Sequence, residues 1–304
     1  MKLEAGSAGP IVWKERQRPD RGYWRLAWRR FRRNRLGLYS GVFLLVMIAI
    51  ALAAPAVSAF VTHQSATQQD LNSVLANPSS QHWLGSDELG RDTLTRLVYG
   101  AKASLGVGLL TVAIVLAIGV PSGLAAGYLG GIVDDVLMRI VDVVLSTPPI
   151  FLYILMSILF RPNPVLLAFI IASLNWAPVS RLVRAEAISL RDREFMLATR
   201  AMGATNFRLV LRHLFPNTMP VIIVNASLRL GQVILIEAAL DFLGLGIQPP
   251  TASWGNMLSN AELYFSHSIW LVLLPGALIF ATVMAANILG DALRDTFDPW
   301  AVKR

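Results

Sequence analysis

The chain has 304 residues, of which 55% are hydrophobic and only 15% charged. With a mean hydropathy of +0.54, it carries too little polar surface for a soluble domain and reads as an integral membrane protein. The formal net charge of +8 is therefore weighed against the bilayer, and no nucleic-acid partner is expected. The lack of cysteine excludes disulfides, thiolate catalysis and cysteine-held metals or clusters.

Residues 1–37 hold eleven Lys or Arg against Glu4, Glu15 and Asp20, which predicts a cytoplasmic N-terminal tail. Within it Trp24, Trp28, Phe31 and Arg35 recur at three- and four-residue steps. That is the spacing of a basic amphipathic helix in the headgroup layer, with a solvated positive flank as the alternative. Residues 38–60 form a first span, because crossing takes roughly 20 apolar residues, and are read as a retained anchor and not a signal peptide. Residues 61–101 form an external segment, polar, with Arg91 and Arg96 as the cations of its stretch 61–96.

A five-helix core is expected over 102–292. Spans at about 102–128 and 136–160 are followed by a tight turn, Arg161-Pro162-Asn163-Pro164, whose prolines cannot continue a helix. Further spans fall at about 165–182, 219–240 and 269–289, with an external segment between the last two, and residues 293–304 form a cytoplasmic tail. The fold class predicted is all-α: a polytopic membrane protein with six transmembrane helices and both termini cytoplasmic.

The sequence contains no G-x-x-x-x-G-K-[ST] phosphate loop, no G-x-S-x-G elbow and no H-E-x-x-H pair. His63, His82, His213 and His267 stand singly. Neither a catalytic residue nor a metal site nor a cofactor bound by this chain is expected. Ionisable groups inside spans are functional candidates. Asp135, Arg139 and Asp142 sit at helical spacing for local ion pairs. Arg229, near mid-membrane, is expected to face protein, water or an acidic partner and is a candidate for the translocation pathway. Glu237 and Asp241, toward the outer end of the same helix, face either that pathway or solvent.

Between the fourth and fifth spans lies a basic insert, with seven arginines in residues 181–217 against Glu186, Asp192 and Glu194. Span parity and charge both place it in the cytoplasm. Phe195, Ala198, Thr199 and Met202 share one face of a short helix, and Gly203 ends it in the left-handed cap conformation. Thr205 or Asn206 can cap a second helix in which Phe207, Val210, Leu211 and Leu214 repeat the spacing, Arg208 and Arg212 share another side, and Pro216 closes it. Such helices are too apolar to float in water. Either a partner covers them or they pack on their own bundle.

The stretch A-T-R-A-M-G-A, followed ten residues after Gly203 by H-L-F-P, resembles the "EAA" loop of ABC-type import permeases. Ala198 and Thr199 take the alanine places, Gly203 the glycine, His213 the isoleucine and Phe215-Pro216 the final L-P; Leu197 stands where the family has glutamate. Further segments resemble the C-type permease subunit of the dipeptide/oligopeptide/nickel branch. These are F-R-R-N-R-L-G-L before the first span, H-W-L-G-S-D-E-L-G-R-D-T-L-T-R-L-V-Y-G-A at 82–101, and A-G-Y-L-G-G at 126–131. F-L-G-L-G-I-Q-P-P-T-A-S-W-G-N-M-L at 242–258 and L-G-D-A-L-R-D-T-F-D-P at 289–299 complete the set.

The resemblance implies a type I ABC importer permease fold in the bacterial inner membrane. It implies a heterodimer with a homologous B-type permease, an external substrate-binding protein, and two cytoplasmic ATPases carrying ATP and Mg. In that reading residues 190–217 are the coupling loop. Phe195, Ala198, Thr199, Arg200, Met202, Gly203, Ala204, Asn206, Arg208 and Arg212 dock on an ATPase, the arginines and apolar contact standing in for the missing glutamate. Di- or oligopeptides are the expected substrates, with nickel or another small solute as the alternative. An ion-gradient-driven secondary transporter, or a membrane scaffold, is the alternative of a different class. Gly85, Asp87, Gly90, Arg91 and Asp92 are turn and cap residues at the external entrance to the second span. They seal the pathway, touch the binding protein, or only shape the loop. Trp254 is expected at the membrane interface.

Overall fold

A computed structural model describes residues 21–297; the outer parts of both predicted tails, 1–20 and 298–304, lie outside the described residues. Among those described there are twelve α-helices, and the only β pairing is an isolated bridge between Ser86 and Asp92. Five helical stretches are long and apolar enough to cross a bilayer. They are α2 (Arg35–Leu52), α4 (Thr93–Leu129), α7 (Pro164–Arg191), the continuous stretch Asn206–Phe242 that ends in α10 (Phe215–Phe242), and α12 (Trp270–Phe297).

The expected third span is broken. α5 (Gly131–Ser146) and α6 (Pro149–Phe160) pass the same test only together and are bent by 80°. The cause is local: Thr147, ahead of Pro148-Pro149, takes the extended conformation (φ −104°, ψ 134°) that a residue before proline prefers over the helical one. Counting the bent pair as one crossing gives six spans.

Other boundaries move for identifiable reasons. α4 starts at Thr93 and not near residue 102, because Asp92 caps it, Oδ2 accepting from the Thr95 N–H at 2.8 Å. Residues 93–101 of the expected external segment are thus its first turns. Pro216 does not close a helix. A π turn, Val210–Leu214, leads directly into α10 with Pro216 in its first turn. The wider π turn makes room for the proline ring, and the Asn217 side-chain amide donates to the His213 carbonyl at 2.5 Å.

α4 and α7 form the centre of the bundle. Gly119, Gly123 and Gly127 recur every fourth residue on the α4 face that meets α7. A Cβ on these glycines would stand 2.8 Å from the Trp176 carbonyl oxygen, 2.5 Å from that of Ser180 and 2.7 Å from that of Arg184. This is the small-xxx-small contact by which helices approach closely in lipid, where burial from water supplies no drive. A Gly123→Val chain is expected to lose roughly 3 kcal/mol of stability through overpacking. Gly106→Val, on the same helix where a Cβ meets nothing within 4 Å, should stay within about 1 kcal/mol. Thermal unfolding in detergent compares them, and equal midpoints would refute the close-packing account.

Ion pairs fasten α5 to α7. Arg184 grips Asp134 with both Nε and Nη2, at 2.5 and 2.6 Å, and Arg181 reaches Asp142 at 2.5 Å. The pairing expected within α5 gives way to these contacts because a guanidinium fork on the neighbouring helix offers bidentate geometry. Arg139 is exposed. α1 (Arg21–Phe31) forms within the expected amphipathic segment; Ala27 and Phe31 are buried, and exposed Trp28 stacks on Phe31 with centroids 5.9 Å apart.

Candidate functional site

The insert joins α7 to α10 through α8 (Glu194–Ala201) and α9 (Asn206–Leu209). Gly203, with φ +82°, supplies the left-handed residue that ends α8. The Gly203 N–H donates to Arg200 O at 3.0 Å and the Ala204 N–H to Thr199 O at 3.3 Å, the paired bonds of a Schellman cap. Thr205 then caps α9.

The expected apolar faces are divided differently. Met196, Leu209 and Leu214 are buried, and Phe195, Ala204 and Val210 pack partly beside them. Ala198 and Met202 turn outward, as do Phe207 and Leu211. For the second helix the reason is pitch. Leu209 and Leu214 are five residues apart across the π turn, so a 3.6-residue period misplaces the stripe. What faces out is an apolar surface of Leu197 (51% exposed), Met202 (75%), Phe207 (75%) and Leu211 (50%). Arg208 and Arg212 flank it, both exposed and unpaired with any carboxylate among the described residues.

Arg200 and Asn206, both exposed, are also tied to the end of α4. Buried Tyr128 donates its hydroxyl to Asn206 Oδ1 at 2.9 Å and accepts from Arg200 Nη2 at 3.2 Å. The Arg200 guanidinium also lies 5.6 Å from the Tyr128 ring centroid, within cation–π range. Tyr128 thereby fixes the insert to α4.

At the other end of α4, the segment before Thr93 closes into a buried ionic clasp. Asp87 Oδ2 lies 2.7 Å from Arg91 Nε and 3.1 Å from Arg96 Nε, and Arg91 Nη2 reaches Glu88 at 2.7 Å. Asp87 Oδ1 accepts from the N–H groups of Leu89 and Arg91. His82 Nδ1 sits 3.2 Å from Asp92. Gly85 and Gly90 turn the chain at φ +76° and +71°. Asp87, Arg91 and Asp92 are thus turned into the loop's own interior. Nearby, Asp70 caps a short turn; the Ser73 hydroxyl at 2.7 Å and the Asn72 N–H at 3.0 Å hold its carboxyl below the usual carboxylate range.

Glu237 and Asp241 face neither solvent nor an open path: both are fully buried. Glu237 Oε1 accepts from Ser104 Oγ at 2.8 Å, and Asp241 accepts from the Ile247 N–H at 2.6 Å and from the Ser253 hydroxyl. They knit α10 to α4 and to the loop ahead of α11 (Trp254–Ala261). Trp254 is likewise no interface aromatic. It is buried, donating its indole N–H to Leu97 O at 3.0 Å and its backbone N–H to Ser104 Oγ at 3.2 Å. The carboxylates recruit this loop, and the ring fills the space beneath it.

Arg229 is half-buried midway along α10. Its Nη1 donates to Asn175 Oδ1 at 3.1 Å, and Asn175 Nδ2 donates in turn to the Tyr153 hydroxyl at 2.6 Å and to Ile171 O at 2.9 Å. Asn175 and Tyr153 escaped sequence reading, although an asparagine in the apolar run 165–182 was the available signal. Among the described residues no carboxylate pairs with Arg229.

Residues 119–303 match the family described as "Binding-protein-dependent transport system inner membrane component". Residues 22–78 match the N-terminal TM domain of oligopeptide transport permease C. The chain is 40% identical over 276 residues to the dipeptide transport system permease protein DppC of Alkalihalophilus pseudofirmus, covering 91% of this chain and 90% of that one. It is 39% identical to DppC of Bacillus subtilis, covering 93% and 88%, and 37% identical to the glutathione transport system permease protein GsiD of Pectobacterium atrosepticum, covering 95% and 94%. In three dimensions it is similar to a chain of the MetNI methionine ABC transporter in an inward-facing conformation. There the TM-score is 0.52 at 22% identity, with 67% of this chain and 98% of that one covered, a likeness of fold.

Proposed function

Because the chain belongs to the family of binding-protein-dependent transport system inner membrane components, a multi-pass transport subunit and not a catalyst, we propose that it translocates di- or oligopeptides as one half of an ATP-driven importer. A homologous B-type permease completes the pathway, an external binding protein delivers substrate, and two ATPase subunits bind ATP and Mg. The dipeptide and glutathione transport of its relatives supports a peptide substrate. In this reading both termini and the insert are cytoplasmic, and Arg229 lines the pathway.

The observation that carries the proposal is the outward face of the insert. Apolar side chains at 50–75% exposure flanked by unpaired arginines require a cover, and the missing nucleotide loop requires a separate motor. The insert is tied to the bundle through Tyr128 and runs without a break into α10. A push from a closing ATPase therefore reaches α4 and α10 as rigid levers, the kind of motion that alternating access needs.

Phe207→Glu and Arg208→Glu are expected to leave membrane insertion intact, since both side chains are exposed, and to abolish co-purification with the ATPase and uptake. Reversing charge or polarity in the centre of a docked surface typically costs 2 kcal/mol or more, roughly a thirtyfold loss of affinity. Retention of a stoichiometric ATPase by both variants would remove the docking role.

A further inference from the structure

We infer that Arg229, aimed by Asn175 and Tyr153, is the group that takes the terminal carboxylate of the peptide as it passes the middle of the membrane. The inference rests on the peptide reading above and assigns its recognition chemistry. Three observations support it.

The first is the unbalanced charge. Arg229 sits midway along a helix that can span the bilayer, and among the described residues its one polar partner is the neutral Asn175 side chain. The carboxylates further along α10 do not pair with it: Glu237 accepts from Ser104 through Oε1, and Asp241 accepts from Ser253 and the Ile247 N–H. A cation at that depth is costly unless an anion or water reaches it.

The second is its direction. Ile171 O can only accept, so the Asn175 NH₂ must face it and the Tyr153 oxygen, which turns Asn175 Oδ1 toward Arg229. Asn175 and Tyr153 are themselves buried. The guanidinium is held from behind by one of its nitrogens, and the rest of its planar fork remains free for a bidentate oxygen pair.

The third is the surface on which it opens. Asn225 and Arg229 are half-buried and Gln232 is exposed, at four- and three-residue steps along one side of α10. Lipid cannot solvate such a stripe. An aqueous path on that side would satisfy it, and a terminal carboxylate is the anionic group every unblocked peptide carries whatever its side chains. Recognition there is compatible with many sequences.

The test uses the whole transporter in proteoliposomes, with its binding protein and ATP, and compares uptake of a dipeptide with that of its C-terminal amide. Each rate is divided by the wild-type rate for the same compound, which cancels the binding protein's own preference. Arg229→Gln is expected to lower uptake of the free acid by about tenfold or more, as loss of a charged hydrogen bond does, and of the amide by less than about twofold. Asn175→Leu should lower the acid-to-amide ratio in the same direction by severalfold. If Arg229→Gln fails to assemble, Arg229→Lys carries the comparison, keeping charge but not the fork, with a smaller acid-specific loss.

Equal losses for both compounds would overturn the inference and assign Arg229 to an acidic residue of the partner permease or to the fold. Unchanged uptake of both would overturn it as well. A wild-type complex that hydrolyses ATP yet moves neither compound would overturn the peptide reading and this inference together, whereas the other two outcomes leave the peptide reading standing.

Discussion

A Gly203→Val chain is expected to insert and fold its membrane bundle yet to lose ATP-driven uptake and hold the ATPase weakly. Gly203 is at φ +82°, where an L-residue pays roughly 1–2 kcal/mol and a β-branched one more. A Cβ at this position meets nothing within 4 Å, so the cost is conformational and stays local. The backbone escapes it by leaving the left-handed region, which breaks the two bonds from Gly203 and Ala204 to Arg200 and Thr199 and changes the angle at which α9 leaves α8. Asparagine visits the left-handed region far more readily, so Gly203→Asn is expected to retain most uptake. Peptide uptake and ATPase recovery measured side by side decide it: a valine variant that transports normally means that the geometry of this turn has no part in coupling.

Removing the carboxylate of Asp87 should produce the largest loss of stability. Its two oxygens serve Arg91 and Arg96 and two backbone N–H groups, and all three side chains are buried. Asp87→Ala strands the buried Arg96 guanidinium without a carboxylate and removes one of the two that hold Arg91, a cost of about 3–5 kcal/mol. Arg91 keeps Glu88 at 2.7 Å, but Arg96 is left with a carbonyl, Ala66 O at 3.4 Å. Asp142→Ala is the contrast. Its pair with Arg181 is shorter still, at 2.5 Å, but the two side chains are 65% and 54% exposed, and water screens them to about 1 kcal/mol or less. Limited proteolysis of residues 63–92 with thermal unfolding separates the two. If Asp87→Ala is no more susceptible than Asp142→Ala, the clasp does not hold this segment.

Much of the architecture was legible without coordinates. Apolar runs of membrane-spanning length, interrupted by prolines and one basic insert, are a one-dimensional signal: each run must satisfy its own backbone within the hydrocarbon, so each becomes a helix whatever its neighbours do. The Gly203 turn was legible for a related reason, since left-handed backbone selects glycine locally. The broken crossing at Thr147-Pro148-Pro149 was also written in the chain. Total apolar length alone, which predicts one straight span there, hides it.

Other features were set by contacts between segments far apart in sequence, and composition does not encode those. Which side of the insert's second helix faces out depended on a π turn that shifts the apolar period to five residues. Nothing in the segment of Arg200 and Asn206 announces their contacts with Tyr128, which leave both side chains exposed. Glu237, Asp241 and Trp254 were placed by helix position at a pathway or an interface, whereas burial by a loop and by Ser104, more than a hundred residues earlier, removed them from both. The sequence by itself determined that this is a helical membrane protein of a binding-protein-dependent transport family, with a basic helix-turn-helix insert and no nucleotide loop of its own. Only the tertiary structure decided which polar groups inside it are spent on holding α4, α7 and α10 together, and that Arg229 is not among those neutralised. A charge in a low-dielectric interior is defined by what stands within a few ångströms of it, and that distance is a property of the fold.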